Sequence, residues 1–289
     1  MRPVPVLLLA GVVACTPSRE AVVDVRVDDF GDTVRAGLVA QRIVSLNPVT
    51  TEVLLALGER NRLVGRTHWD LFSEDSRSIP DVGDGMSPNV EAVLGQRPDL
   101  VILYATESNR AAARQLRQAG VATLAYRTDR VSDLARVAPV LAMQVGRPDA
   151  GPTVDTTLAR LDSLRALPVP ARRVRAFWHI WDAPILTIGK GSYLTELLEI
   201  AGAENVFGDL EAPSPQVTLE EIVRRDPDVI LVGPTGAARL RAHQGWQAVR
   251  AVREGRVLVI DTSIVGRPGI RMGEAAQFLR GLLRPDSAR

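Results

Sequence analysis

The sequence predicts an α/β protein of two similar lobes with parallel sheets, joined by a single long helix, with a ligand cleft between the lobes. Three observations predict it. The chain repeats itself in order: Thr51-Glu52-Val53-Leu54 running to Gly58 returns as Thr195-Glu196-Leu197-Leu198 running to Gly202. Val90-Glu91-Ala92-Val93 followed by Arg97-Pro98-Asp99-Leu100-Val101-Ile102 returns as Leu219-Glu220-Glu221-Ile222 followed by Asp226-Pro227-Asp228-Val229-Ile230-Leu231, and Gly120 to Thr128 returns as Gly255 to Ser263. The offsets of 144, 129 and 135 residues (51 to 195, 90 to 219, 120 to 255) are too long for a solenoid, whose repeats run about 20–50 residues. Short apolar runs alternate with helical patterns, which marks a parallel sheet covered by helices. A helix-patterned segment then lies between the two copies. Two lobes leave a cleft, and clefts are where small ligands bind.

Composition sets the class. With 289 residues, 46% hydrophobic and 24% charged, two domains are expected. The net charge of +1, with both signs scattered, excludes the basic footprint of a nucleic-acid binder. Lys190 is the single lysine among the basic residues, a matter of base composition rather than of function. Aromatics make up only 4%, so their placement carries information.

The N-terminus reads as an address. Met1-Arg2 precedes an apolar run from Val4 to Ala14, of the length of a secretory h-region and too short to span a bilayer, which needs about 20 residues. The run ends Val12-Val13-Ala14-Cys15, which resembles the bacterial lipobox and implies cleavage before Cys15 and acylation of its thiol. Residues 1–14 are then the signal peptide and 15–22 a lipidated tether. Cys15 is the only cysteine, so once it is consumed neither a disulfide nor thiol chemistry remains.

The first lobe is expected over 23–145. Val23, Val25 and Val27, then Phe30-Gly31-Asp32 and Val34, alternate like a hairpin with a glycine turn. Arg42-Ile43-Val44-Ser45-Leu46 is a buried strand. Asn47 caps a helix with Pro48 in its first turn, and Gly58 ends it. Leu63-Val64-Gly65 is a strand, followed by the loop His68-Trp69-Asp70-Leu71-Phe72. A helix over 89–96, a strand over 100–104, a helix over 109–119 and a strand over 122–126 complete the series. Within the connecting segment 146–170, Val154, Leu158, Leu161 and Leu164 recur at helical spacing, and Pro168-Val169-Pro170 stops the helix. The second lobe, 171–289, opens on the strand Val174-Arg175-Ala176-Phe177-Trp178.

These residues resemble the bacterial ABC-transporter substrate-binding proteins with a helical backbone, the family that captures cobalamin, ferric siderophores or haem. The resemblance covers about 23–285. It rests on Arg42 to Leu46 with Thr51-Glu52, on Pro88-Asn89-Val90-Glu91 with Pro98-Asp99-Leu100, on Gly191-Ser192 to Leu198 with Gly202-Ala203-Glu204-Asn205-Val206-Phe207, and on Pro215-Gln216-Val217-Thr218-Leu219-Glu220. It is closest to the cobalamin-binding members. The resemblance implies two Rossmann-like lobes and a periplasmic, lipid-anchored monomer that acts as a binding protein and not an enzyme. Its partners would be an ABC permease, the ATPase subunits of that permease, and the membrane through the lipid anchor, with no nucleic acid. The bound ligand would be cobalamin, with a ferric siderophore or haem as alternatives. No catalytic cofactor or resident metal is implied. The reading from another class is a bilobal α/β enzyme acting on a metal-chelate cofactor.

Each candidate residue has a physical rationale. Glu91 and Glu220 start matching helices, where a carboxylate meets the positive end of the helix dipole. The resemblance gives them a second role, docking onto permease arginines. Glu52 and Glu196, also matched between the repeats, are read as structural. Trp69, Tyr104 and Trp181 follow strands, and ligands in open α/β sheets bind beyond the carboxyl ends of strands. A flat corrin or porphyrin needs large apolar faces of this kind. Trp178, inside a strand, and Trp246, in a helical context, are read as packing. Where the closest cobalamin binders place a tryptophan before Asn-Leu-Glu, this chain has Gly85 or Met86. Arg267 and Arg271, with Asp261, lie in the loop 262–272 or beside it, which in the family faces the ligand. His68 or Tyr104 would serve as the axial iron ligand of the haem variant.

Other chemistries fail on inspection. Gly189-Lys190-Gly191-Ser192 glances at a phosphate loop, but Pro184 stands where its first glycine belongs and Gly191 where Ser or Thr must hold magnesium. Gly83-Asp84-Gly85 lacks the third glycine of a dinucleotide fingerprint. His68, His179 and His243 are widely separated, unlike converging zinc ligands. No Ser-His-Asp or Cys-His arrangement is legible.

Overall fold

A computed structural model of the chain describes residues 27–33 and 39–283. The expected signal peptide and lipidated tether, with Cys15, lie outside the described residues. Of the expected N-terminal hairpin, the described part shows an antiparallel bridge between Val27 and Thr33, with Gly31 at φ +84° in the turn.

The first lobe runs β1 (Ile43–Leu46), α1 (Pro48–Ala56), β2 (Leu63–Arg66), α2 (Glu74–Arg77), α3 (Val90–Gly95), β3 (Leu100–Tyr104), α4 (Asn109–Gln118) and β4 (Ala122–Tyr126). Its four strands are all parallel, in the order β2-β1-β3-β4. β1 is buried throughout, as a strand covered by helices on both faces must be. Two helices, α5 (Asp133–Gln144) and α6 (Gly151–Arg165), then lead to the second lobe.

That lobe runs β5 (Val174–His179), the small hairpin β6 (Trp181–Asp182) and β7 (Ile185–Leu186), α7 (Tyr193–Ile200), β8 (Ala203–Asn205), α8 (Leu219–Arg225), β9 (Val229–Val232), α9 (Pro234–Ala242), α10 (Arg250–Arg253), β10 (Val257–Val259), α11 (Thr262–Val265) and α12 (Met272–Leu282). Its parallel sheet has the order β10-β9-β5-β8. Matching β1 to β5, β2 to β8, β3 to β9 and β4 to β10 turns one order into the other. The repeat in the sequence is therefore a repeat of topology. Among the described residues the β6–β7 hairpin has no counterpart in the first lobe.

The repeated Pro-Asp pair has a job in each lobe. Asp99 accepts from the backbone N–H groups of Gln41 (2.8 Å) and Arg42 (3.0 Å), and Asp228 from that of Arg175 (3.1 Å), so each carboxylate pins the start of the central strand. The residues before the two prolines, Arg97 (φ +49°) and Asp226 (φ +45°), share a left-handed backbone that ends the preceding helix. An L-residue with a bulky side chain adopts that backbone at a cost of about 1 kcal/mol, so its recurrence at both copies marks a required turn.

One hydrophobic core runs through both lobes. It includes Leu54 of α1, Val154 and Leu161 of α6, Trp178 of β5, Leu197 of α7, and Met272 and Leu279 of α12. α6 packs on α12, α1, α5 and α7, so the connecting helix is embedded rather than free-standing. Trp178 and Trp246 are buried packing residues, as the sequence suggests.

Candidate functional site

The face-to-face arrangement of the lobes follows from two loops. The loop beyond β4 places Arg130 and Val131 against Glu196 of α7, and the loop beyond β10 places Arg267 and Ile270 against Glu52 of α1. Each loop leaves the carboxyl end of its own sheet and touches the opposite lobe. The carboxyl ends of the two sheets therefore face one another, which is where ligands of open α/β sheets bind.

Trp69 stands on the first-lobe side of this cleft. Its loop is held by Asp70, fully buried, whose Oδ2 accepts from the Thr67 N–H (2.8 Å) and the Thr67 hydroxyl (2.8 Å). Burial pushes the Asp70 carboxyl up, against the opposing effect of those Thr67 hydrogen bonds. His68 donates its N–H to the Gly83 carbonyl (3.0 Å), and the His68 and Trp69 rings lie 4.6 Å apart. On this fixed backbone the Trp69 side chain is left 66% exposed.

The 83–86 loop lies beside it. A Cβ at Gly85 would sit 2.3 Å from the Leu46 carbonyl oxygen, so only glycine lets this loop press on the end of β1. The Asn109 amide ties the loop to β3 by donating to the Gly85 (2.8 Å) and Tyr104 (2.9 Å) carbonyls. Met86 at its tip is exposed. Tyr104, at the carboxyl end of β3, is half-buried and donates its hydroxyl to Asp129. Burial, the hydrogen bond to Asp129 and that carboxylate's charge hold the Tyr104 phenol well above its ordinary value. A phenol so held is a poor tyrosinate ligand for iron.

On the second-lobe side, Trp181 opens the β6–β7 hairpin and is 60% exposed, with exposed Ile180 next to it. The Ile180 N–H donates to the Leu186 carbonyl (2.9 Å), and Thr187 donates to the Pro215 carbonyl (3.1 Å), which seats the hairpin on the 209–217 segment. A cavity of about 600 Å³ lies within this lobe, lined by Ile185, Leu240, His243 and Trp246 among others, and none of Trp69, Tyr104 or Trp181 borders it.

Arg267 and Arg271 are already engaged. Arg267 pairs with Glu52 (3.5 Å) and its guanidinium stacks 4.4 Å from the centre of the Phe72 ring. Arg271 makes a bidentate pair with Glu274, both contacts at 2.9 Å. The segment read as one loop contains the short helix α11, which Asp261 caps by accepting from the Ser263 N–H (2.9 Å).

Glu91 and Glu220 are the second residues of α3 and α8, one per lobe, and both are exposed. Among the described residues neither makes an ion pair or a side-chain hydrogen bond. Asn89 caps α3, and Thr218 with Glu221 forms a capping box on α8, so neither helix needs these two carboxylates as its cap. Among the described residues no group of three or more His, Cys, Asp and Glu side chains is placed to hold a metal ion, and no helix is long and apolar enough to cross a membrane.

Sequence reasoning missed Met86 as a surface, along with Leu71, Ile180 and Val259, exposed apolar side chains in loops or at strand ends. Hydrophobicity in a loop was the available signal.

This architecture, two parallel-sheet lobes closing on a cleft with a helix between them, defines a bilobal solute-binding protein rather than an enzyme. The periplasmic binding protein family model matches residues 43–263, and the chain belongs to that family. It is 27% identical over 240 residues to the vitamin B12-binding protein of Vibrio cholerae serotype O1, covering 82% of this chain and 87% of the relative. It is 29% identical over 258 residues to an uncharacterized ABC transporter substrate-binding lipoprotein of Bacillus subtilis, covering 86% of this chain and 81% of that one. The crystal structure of the Vibrio cholerae vitamin B12-binding protein superposes with a TM-score of 0.74 at 26% identity, covering 84% of this chain and 96% of that chain.

Proposed function

We propose that this protein captures a corrinoid between its lobes and hands it to an ABC importer. The observation that carries the reading is the pair of exposed tryptophans, Trp69 and Trp181, on opposite lobes beyond the carboxyl ends of the sheets. Two large rings on facing surfaces suit a wide, flat, largely apolar ligand. Met86 adds a pliable apolar contact on the Trp69 side. Tyr104 contributes its ring and carbon skeleton, its hydroxyl being engaged by Asp129. Arg267 and Arg271 line the rim through the loop that their ion pairs stiffen.

The engaged phenol of Tyr104 argues against haem held by a tyrosinate and favours a corrinoid, because cyanocobalamin arrives with its own axial ligands and needs no protein phenolate. The similarity to vitamin B12-binding proteins supports the same order. Glu91 and Glu220 are the docking carboxylates in this reading, one for each half of a permease. Cys15 would hold the protein at the membrane by its lipid.

Calorimetric and spectral titration of the purified mature protein with cyanocobalamin, haemin and a ferric hydroxamate tests the proposal. Saturable one-to-one binding of cyanocobalamin, tighter than of the other two, is the expected result. Preferential binding of haemin or the hydroxamate would replace the corrinoid assignment.

A further inference from the structure

Glu52 and Glu196 occupy the same position in the two repeats, and each reaches across to the other lobe. The Glu52 carboxylate, on α1, accepts the Ile270 N–H (3.0 Å) and pairs with Arg267 (3.5 Å). The Glu196 carboxylate, on α7, accepts the Val131 N–H (3.3 Å) and pairs with Arg130 (2.5 Å). The chemistry is the same on both sides: one carboxylate takes one backbone N–H and one guanidinium from the loop that follows the last strand of the opposite sheet. Because α1 matches α7 and β4 matches β10, the two contacts are related by the pseudo-two-fold axis of the fold.

We propose that Glu52 and Glu196 are reciprocal interlobe latches that set the opening of the ligand cleft. The shared core and the embedded α6 join the lobes on one side of the cleft. These two attachments, at separate points beyond the carboxyl ends of the sheets, fix the angle at which the cleft stands. The receiving loop at Glu52 is shaped for its carboxylate: a Cβ at Gly269 would lie 1.7 Å from Glu52 Oε2, so glycine is the residue that leaves room. Ile270 is held from its other side as well, since its carbonyl accepts the hydroxyl of Thr157 on α6. The Arg267 guanidinium, stacked on Phe72, extends the first latch to the loop that carries Trp69. Glu52 and Glu196 are thus positioning residues, acting on the ligand surface through the lobes that bear it.

The latches are a property of the ligand-free chain and stand apart from the identity of the ligand. The test is the interlobe distance distribution from paired spin labels on Gln118→Cys in α4 and Ala238→Cys in α9, both exposed positions, in a Cys15→Ser background. The unaltered latches should give one narrow distribution. Glu52→Ala with Glu196→Ala should broaden it and shift its mean with the far-ultraviolet circular dichroism unchanged. Glu52→Gln, which keeps an oxygen for the Ile270 N–H, should restore part of the narrowness. An unchanged distribution in the double variant overturns the proposal. Should the alanine at 52 prevent folding, Arg130→Gln cuts the second latch at its more exposed side, and an unchanged distribution there overturns it equally.

Discussion

Truncating Trp181 is the sharpest perturbation of the ligand surface. The side chain is 60% exposed. A tryptophan offers up to about 250 Å² of surface, so about 150 Å² is open to a ligand. A flat ligand covers one face, about 75 Å², which at about 25 cal/mol per Å² is ~2 kcal/mol. Trp181→Ala should therefore weaken cyanocobalamin binding by about 20–30-fold, since 1.4 kcal/mol is tenfold. Trp69, 66% exposed, carries a similar expectation. The double variant should lose about 400–900-fold if the two rings act independently on opposite faces. Calorimetric titration provides the assay for every variant, and in the parent a bound corrin should also quench the fluorescence of both indoles. Each single variant should keep the thermal unfolding midpoint of the parent, neither ring being part of the core. Unchanged affinity in the double variant would refute the aromatic platform.

Three other outcomes follow from separate parts of the molecule. Cys15→Ser should leave the protein soluble or unprocessed, and membrane fractionation with cleavage at the same site as in the parent would contradict lipidation at Cys15. Glu91→Arg with Glu220→Arg should abolish delivery to the importer in a reconstituted transport assay while leaving ligand affinity intact, each single change being intermediate; lost affinity would move these carboxylates into the cleft or the fold. Glu52 should make stability depend on pH: burial raises its carboxyl above the ordinary 4.5, outweighing Arg267 and the Ile270 N–H. Above that ordinary value the folded chain then holds the proton that the unfolded chain has lost, so the stability linked to Glu52 is greatest in acid and falls as pH rises through the raised value. His179, pushed down by burial, works in the opposite direction in this window, so the comparison is with Glu52→Gln. From pH 5 to 7 the urea midpoint of the parent should fall relative to that of the variant, and a constant gap would contradict the linkage.

The architecture was legible because duplication and buried strands write themselves locally. Ile43 to Leu46, apolar but for Ser45, and Val229 to Val232 are short buried runs between turn residues that suit a covered parallel sheet, and Asn47, Asn89 and Thr218 stand where helix caps must. The β6–β7 hairpin was not legible, since strands of two residues carry no period. α5 was hidden by Pro139 in its interior, a residue that ordinarily ends a helix. Glu52 and Glu196 read correctly as structural, but their partners could not be read: Ile270 is 218 residues from Glu52, and Val131 is 65 from Glu196. For the same reason Arg267 read as open to a ligand, whereas the fold supplies it with Glu52 and Phe72; Arg271 pairs with Glu274, only three residues on. The exposure of Trp69 was foreseeable because its tryptophan stands in a loop after a strand rather than within one.

The central claim, that a corrinoid lies between the lobes against both tryptophans, is tested most directly by a crystal structure of the protein grown with cyanocobalamin. The corrin is predicted to sit between Trp69 and Trp181, with Met86 against its edge and the Glu52 and Glu196 contacts intact. A corrin bound away from both tryptophans, or within the second lobe beside Trp246, would contradict the account.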